Sequence, residues 1–202
     1  MNARIQTSNL SSLIELVHHR WNIPVLAQLQ KHAGSKFVTL VNTLNVSRGS
    51  LSASLAVLID LGLVYRNTGH GHPMRPEYLL TDAGKELGAH CAALYDTIQR
   101  RKAADLAYRK WTLPLVAAIG DEVLRFNELK SELTDATPRA ITLGLKSLVQ
   151  ERWATRTLID DYPPAAGYQL GSTGQKILPC VEGLLTARSG HLRHHCTNLE
   201  YR

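Results

Sequence analysis

The chain has 202 residues, of which 44% are hydrophobic. That length suits one large domain or two small ones with a buried core, and it argues against wholesale disorder. Three cysteines without a CxxC spacing (Cys91, Cys180 and Cys196) argue against a disulfide framework or a structural zinc site, and the formal net charge of +6 favours a polyanionic partner.

The N-terminal segment Met1–Ser12 has no apolar stretch before a cleavage site, and no apolar run reaches the length of a membrane span. We therefore expect a soluble, cytoplasmic protein that has no membrane partner.

The first elements of the chain are three predicted helices. Asn22 is the predicted N-cap of the first helix, which places Pro24 in its first turn, where a missing N–H costs little. Ser47 is the predicted cap of the third. Apolar residues at helical spacing mark the second and third helices: Phe37, Leu40, Val41 and Leu44, then Leu51, Leu55 and Leu58.

A predicted β-hairpin follows these helices. Leu63–Arg66 and Glu77–Leu80 have the composition of strands, and the segment 67–76 between them is rich in glycine, histidine and proline. A long helix over Ala83–Ala107 is then predicted to lead into the second half of the chain. Three helices followed by a hairpin make a winged helix-turn-helix.

The second half of the chain repeats this order about 90 positions later. Trp21, Leu55, Tyr78 and Gly84 match Trp111, Leu145, Tyr168 and Gly174 at a shift of 90, and Phe37 matches Phe126 at 89. Thr112 and Thr137 are the predicted caps, the strands are predicted at Trp153–Arg156 and Tyr168–Leu170, and the terminal helix at Lys176–His195. Such a period indicates a duplicated domain.

The predicted fold class is therefore mainly α with small β-hairpin wings, as tandem winged helix-turn-helix domains joined by a long helix. The expected boundaries are 13–88 for the first domain and 89–107 for the joining helix. The second domain is expected at 108–178, and the terminal helix and tail at 179–202.

This order of residues resembles the HxlR-type regulators, which are related to the MarR group. The second copy carries the family pattern in Lys110-Trp111, Arg125–Leu129, Pro163-Pro164 and Tyr168–Leu170. The first copy keeps it more loosely and lacks the Asn-Glu-Leu of the second helix. The resemblance implies a DNA-binding transcriptional regulator, and family members usually have one domain and dimerise through terminal helices.

In this motif the third helix enters the major groove with its N-terminal residues facing the bases. The recognition helices are predicted near 47–60 and 137–150. The candidate DNA-binding residues are Ser47, Arg48, Gly49, Ser50 and Ser52, with His70, His72 and Arg75 on the first wing, and Thr137, Arg139, Thr142 and Lys146 in the second copy. Double-stranded DNA is the predicted partner.

The two copies differ in charge. Residues 19–87 carry seven Lys/Arg against four Asp/Glu, whereas residues 109–178 carry nine against eight. Asp160 and Asp161 on the second wing would repel phosphate. The alternative function is therefore a protein-interaction or oligomerisation module in which at least the second copy does not read DNA.

The sequence leaves four further questions open. A small-molecule effector is a third possibility, and the chain could act as a monomeric pseudo-dimer or as a homodimer. His191, His194 and His195 share a helical face beside Cys196, but a polar tail is the commoner meaning, so no metal and no cofactor are expected. Cys91 and Cys180 could be structural or redox-active. No motif of an enzyme occurs in the sequence.

Overall fold

The computed structural model describes residues 7–68, 76–159 and 164–195, with the backbone alone at 7–9 and 188–195. The first copy contains the helices α1 (Thr7–Leu16), α2 (Asn22–Lys31), α3 (Phe37–Leu44) and α4 (Arg48–Asp60). Its strands are β1 (Ser35–Lys36), β2 (Val64–Asn67) and β3 (Glu77–Leu80), and α5 (Asp82–Arg100) follows. The three strands form an antiparallel sheet in the order β1-β3-β2.

The second copy repeats this architecture. After the short helix α6 (Ala104–Ala107) come α7 (Thr112–Ile119), α8 (Phe126–Glu132) and α9 (Pro138–Gln150). The strands β4 (Leu124–Arg125), β5 (Ala154–Ile159) and β6 (Ala165–Leu170) pair in the order β4-β6-β5, and α10 (Ser172–His195) ends the described chain. The predicted fold class of two mainly helical winged-helix copies is confirmed.

The apolar stripes of the helices form the core as predicted. Leu51, Leu55 and Leu58 of α4 are buried, and so are Ile141, Leu145 and Leu148 of α9. The buried side chains of both copies form one continuous cluster. Within the described ranges, no helix is both long and apolar enough to cross a membrane.

The predicted helix over Ala83–Ala107 is corrected to two helices. The first ends at Arg100, where the N–H groups of Lys102 and Ala103 donate to the carbonyls of Gln99 and Ile98. These two bonds form a Schellman motif, and Lys102 takes the left-handed backbone conformation that it requires (φ +52°). The chain therefore turns before α6 begins, and no continuous helix joins the copies.

Asn22 and Thr112 do not cap their helices, because both lie inside the first turn and are buried. The Asn22 amide instead donates to the Leu16 carbonyl at the end of α1, 2.9 Å away. This bond ties α1 to α2. The predicted cap at this site is wrong, while the prolines stay in the first turn as expected.

The two copies pack against each other through their terminal helices. α5 lies against α10, and α1 contacts both α10 and α7. At one crossing Gly183 lies so close to His90 that a Cβ there would overlap the imidazole ring. The copies therefore share an interface inside one chain.

One pair of positions is brought close together in reciprocal form across this interface. Arg20 of the first copy lies near the buried Tyr108, and Lys110 of the second copy lies near His18. Since 18 and 20 become 108 and 110 at a shift of 90, the same pair of positions meets twice. Reciprocity of this kind is what a two-fold interface produces.

Candidate nucleic-acid interface

The third helix of each copy is capped where the sequence predicts it. The Ser47 hydroxyl accepts a hydrogen bond from the Ser50 N–H (3.2 Å) and donates to the Ser50 hydroxyl (2.9 Å). Thr137 accepts from the Ala140 N–H in the same way at 3.2 Å. Each cap fixes the start of its helix and leaves other first-turn N–H groups available to a phosphate.

The outer face of α4 consists of small side chains around one cation. Arg48, Gly49 and Ser52 are exposed, as are Ala53 and Ala56 one turn further on. A Cβ added at Gly49 would meet no atom within 4 Å. This face is smooth, so another surface can approach its backbone closely.

The equivalent face of α9 is bulkier and more basic. Arg139, Thr142 and Lys146 are exposed, and Leu143 stands between them with 54% of its surface accessible. The Thr142 hydroxyl donates to the Pro138 carbonyl at 2.8 Å, which leaves its oxygen free to accept. The two copies therefore present different chemistry on one frame.

The wing strands add one arginine per copy beyond the predicted site residues. Arg66 on β2 pairs with Tyr78 of β3, and Arg156 on β5 pairs with Tyr168 of β6. Both arginines are exposed. Their equivalence at a shift of 90 was the signal that could have identified them.

The predicted wing-tip contacts His70, His72 and Arg75 lie outside the described residues, as do Asp160 and Asp161. The structure brings together the predicted helix residues of each copy.

The second helix begins differently in the two copies. In copy two the Glu128 carboxylate accepts from the Arg125 backbone N–H at 2.6 Å, as one half of a capping box. Copy one has Thr39 in place of that glutamate. There Lys36 instead forms an ion pair with Glu77 of β3 at 3.8 Å. The weaker family pattern of copy one thus has a structural counterpart.

The cysteines and histidines offer little chemistry in the described residues. Cys91 is fully buried, and burial raises the pKa of its thiol far above the usual range, so it is not a reactive thiolate. Cys180 is half-buried and unpaired. Across residues whose side chains are described, no metal-ligand cluster occurs. The side chains of His191, His194, His195 and Cys196 lie outside that set.

Comparison with protein families decides the relationship. Residues 16–105 and 106–195 each match the HxlR-like helix-turn-helix family. The chain belongs to this family. The two matches confirm both the predicted family and the tandem arrangement of its domains.

Relatives of these HxlR-like domains include two mycobacterial proteins. The uncharacterized HTH-type transcriptional regulator MT3179 of Mycobacterium tuberculosis is 32% identical over 94 residues. The corresponding Mycobacterium bovis protein, Mb3122, is 31% identical over the same length. Each match covers 46% of this chain and 59% of the relative.

Similar solved structures include a MarR-family transcriptional regulator from Porphyromonas gingivalis W83. It is 26% identical, and the match spans 46% of this chain and 88% of the other chain, with a TM-score of 0.41. Diamide-treated YodB from B. subtilis is 17% identical, covers 46% of this chain and 91% of its own, and has a TM-score of 0.39.

Proposed function

We propose that this protein is a transcriptional regulator that binds double-stranded DNA sequence-specifically through the third helices of both HxlR-like domains. The observation that carries the proposal is the repeated geometry of α4 and α9. Each helix is fixed by a hydroxyl cap, buries an apolar stripe and exposes polar residues over its first two turns. A helix of this form suits the major groove.

The proposed base readers are the exposed cations at the two helix starts. An arginine can donate to the O6 and N7 of guanine at once, so Arg48 and Arg139 are assigned this role. Ser52 and Thr142 follow one turn later and can bond either bases or phosphates. Leu143 supplies an apolar contact of the kind that recognises a thymine methyl group.

The remaining contacts in the proposal go to phosphates and fix the register of the protein on the duplex. Ser47, Gly49, Ser50 and Thr137 present first-turn groups, and Lys146 supplies a second charge on α9. Arg66 and Arg156 on the wing strands extend the same surface. His70, His72 and Arg75 stay expectations for the first wing.

A fluorescence anisotropy titration tests this proposal. The probe is a labelled duplex from the region upstream of the protein's own gene, with a scrambled duplex for comparison. Arg48→Ala and Arg139→Ala are each expected to weaken specific binding by about 1–3 kcal/mol. Lys176→Ala removes an exposed cation on α10 outside the proposed face and serves as the control. If the wild-type protein binds the upstream and the scrambled duplex with equal affinity, sequence-specific binding is overturned.

The alternative for the second copy is a protein-interaction surface. Val123, Leu143 and Leu158 are all exposed there, Leu158 with 77% of its surface accessible. When exposed apolar side chains form one contiguous patch, they are typical of surfaces that bind other proteins. If Arg48→Ala weakens DNA binding while Arg139→Ala and Leu143→Ala do not, the second copy has this other role.

A further inference from the structure

A cleft of about 630 Å³ lies at the junction of the two copies. Its walls come from the turn between α5 and α6, the C-terminal end of α9 and the first turn of α10. Its polar lining includes Arg100, Arg101, Lys102, Arg109, Ser147 and Thr173, and Leu106 and Trp153 are buried beside it. Its volume is in the range of small-molecule sites in proteins.

The four cations of this cleft outnumber its carboxylates, which are Asp105 and Glu151. Asp105 already pairs with Arg20 from the first copy at 3.4 Å. Among the residues whose side chains are described, none of the four cations forms an ion pair. The cleft therefore carries uncompensated positive charge.

One of the cations is held in place by the elements around it. The Arg109 Nε donates to the Asp105 backbone carbonyl at 3.1 Å, and its Nη1 donates to the Ser147 hydroxyl on α9 at 3.2 Å. A guanidinium fixed in this way loses less conformational freedom on binding than a free side chain.

The first copy provides an internal comparison for the part of the lining that lies in the second copy. Arg109, Ser147 and Thr173 correspond there to His19, Val57 and Ala83 at a shift of 90. Arg100, Arg101 and Lys102 lie at the end of α5, which is the first copy's counterpart of α10. The duplicated fold does not by itself require this basic lining. The charge is a property of the junction.

We propose that the junction cleft binds a small oxyanion with two or more negative charges, and that this anion is the effector of the regulator. An arginine guanidinium can donate two parallel hydrogen bonds to the oxygens of one phosphate or carboxylate group, so clustered arginines suit such ligands. The cleft lies towards the C-terminal end of α9, where its nearest lining residue, Ser147, is about 12 Å along the helix axis from Arg139. DNA read by the start of α9 therefore leaves it accessible.

The effector assignment rests on the proposed function, whereas anion binding does not. A bound anion would join the turn after α5 to the recognition helix α9 and to α10. An effector that prefers one arrangement of these elements shifts DNA affinity, and DNA must then shift effector affinity by the same factor.

Isothermal titration calorimetry at low ionic strength, without DNA, tests binding, with inorganic pyrophosphate and citrate as separate probes. The test variant is Arg101→Gln/Lys102→Gly, in which the glycine also suits the left-handed backbone at 102 and so protects folding. The control is Lys130→Gln/Arg152→Gly, which removes the same charge outside the lining and also relieves a positive φ, at Arg152.

Saturable binding of either probe is expected, weakened about tenfold or more in the test variant and less than threefold in the control. Preference for pyrophosphate identifies a phosphate ligand, and preference for citrate a carboxylate ligand. No binding at millimolar probe, or equal loss in both variants, overturns the site. If a short duplex of arbitrary sequence competes with the probe, the cations of the cleft bind DNA, and the anion site is overturned as well.

A second titration tests the effector role, using the anisotropy probe with and without saturating pyrophosphate or citrate, whichever binds. A fivefold or larger change in DNA affinity, absent from the test variant, is expected. Bound anion without such a change overturns the effector assignment. If the wild-type protein binds no DNA, the proposed function fails, while the calorimetric result for the anion still stands.

Discussion

At the scale of single residues, the two copies form the turn after the third helix with different residues. α4 and α9 both end in a Schellman motif, with Leu63 and Trp153 donating back to Leu58 and Leu148. The left-handed residue is Gly62 in copy one (φ +67°) and Arg152 in copy two (φ +59°). A residue with a Cβ is strained in this conformation.

Replacing Arg152 by glycine is therefore expected to stabilise the protein. The gain is about 0.5–1 kcal/mol, since relief of the left-handed strain exceeds the extra chain entropy of glycine. Urea unfolding followed by circular dichroism measures it. The reciprocal change Gly62→Ala should cost about 1 kcal/mol, and a loss of stability in Arg152→Gly would contradict the account.

Protonation of His18 is expected to make the stability of the protein depend on pH. The positive charge of Lys110, with burial and His19, holds the pKa of His18 below 6.5. The unfolded chain therefore takes up this proton first, and stability is lost as pH falls from about 6.5 to the folded pKa. Unfolding curves at pH 7.5 and 5.5 should show less loss for His18→Gln, and also for Lys110→Gln. Equal losses in all three proteins would exclude this cause.

At the scale of elements, the helix after each wing packs directly on the preceding strand. Gly84 near the start of α5 faces the Leu63 carbonyl oxygen, and Gly174 near the start of α10 faces the Trp153 carbonyl oxygen. A Cβ at either position would overlap that oxygen. In copy one the Thr81 hydroxyl also accepts from the Gly84 N–H at 3.0 Å and donates to the Gly62 carbonyl at 2.7 Å.

Gly84→Ala and Gly174→Ala are each expected to destabilise the protein by about 1–3 kcal/mol, because the backbone must move to admit the methyl group. Gly49→Ala is the matched control. It lies in a helix with open space around it and should gain about 0.5–1 kcal/mol. Thermal or urea unfolding shows whether each variant gains or loses stability. A neutral Gly84→Ala would mean that the close approach is readily relieved.

The sequence predicted most helices and both hairpins, because apolar periodicity and hydroxyl caps are local signals. The strands β1 and β4 were missed, since two residues before a helix carry no alternation. α1 was missed although Leu10, Leu13 and Ile14 have the helical i, i+3, i+4 spacing. The end of α5 depends on Lys102 in a left-handed conformation, where glycine is the usual sign.

The candidate site was predictable in outline only. The caps at Ser47 and Thr137 and the exposed arginines follow from helical spacing. The junction cleft brings residues near 100, 147 and 173 together, and such distant positions meet only through packing. Helical spacing likewise places Leu143 on the exposed face of its helix beside Thr142.

At the scale of the molecule, the interface between the copies determines the assembly. α5 and α10 pack inside one chain, and α1 crosses to the second copy. Leu10 and Leu13 of α1 and Leu184 of α10 are buried with the rest of the core. The ion pair of Arg20 and Asp105 is exposed and adds little to this apolar contact.

We therefore expect a monomer in solution, with the terminal helices already paired. Size-exclusion chromatography with light scattering should give a mass near 22.4 kDa at micromolar concentration. A mass twice as large, unchanged on dilution, would show that a further interface joins two chains. The salt dependence of DNA binding then reports phosphate contacts per chain.

The reciprocal contacts between the copies also bear on how such a protein can evolve. Two identical subunits must change together, since one gene encodes both reading surfaces, and a symmetric dimer suits a palindromic target. Here each half of the interface is encoded separately, so a substitution in α4 leaves α9 untouched. The smooth face of α4 and the bulky face of α9 show this divergence. The proposed function therefore predicts an asymmetric operator with two unlike half-sites.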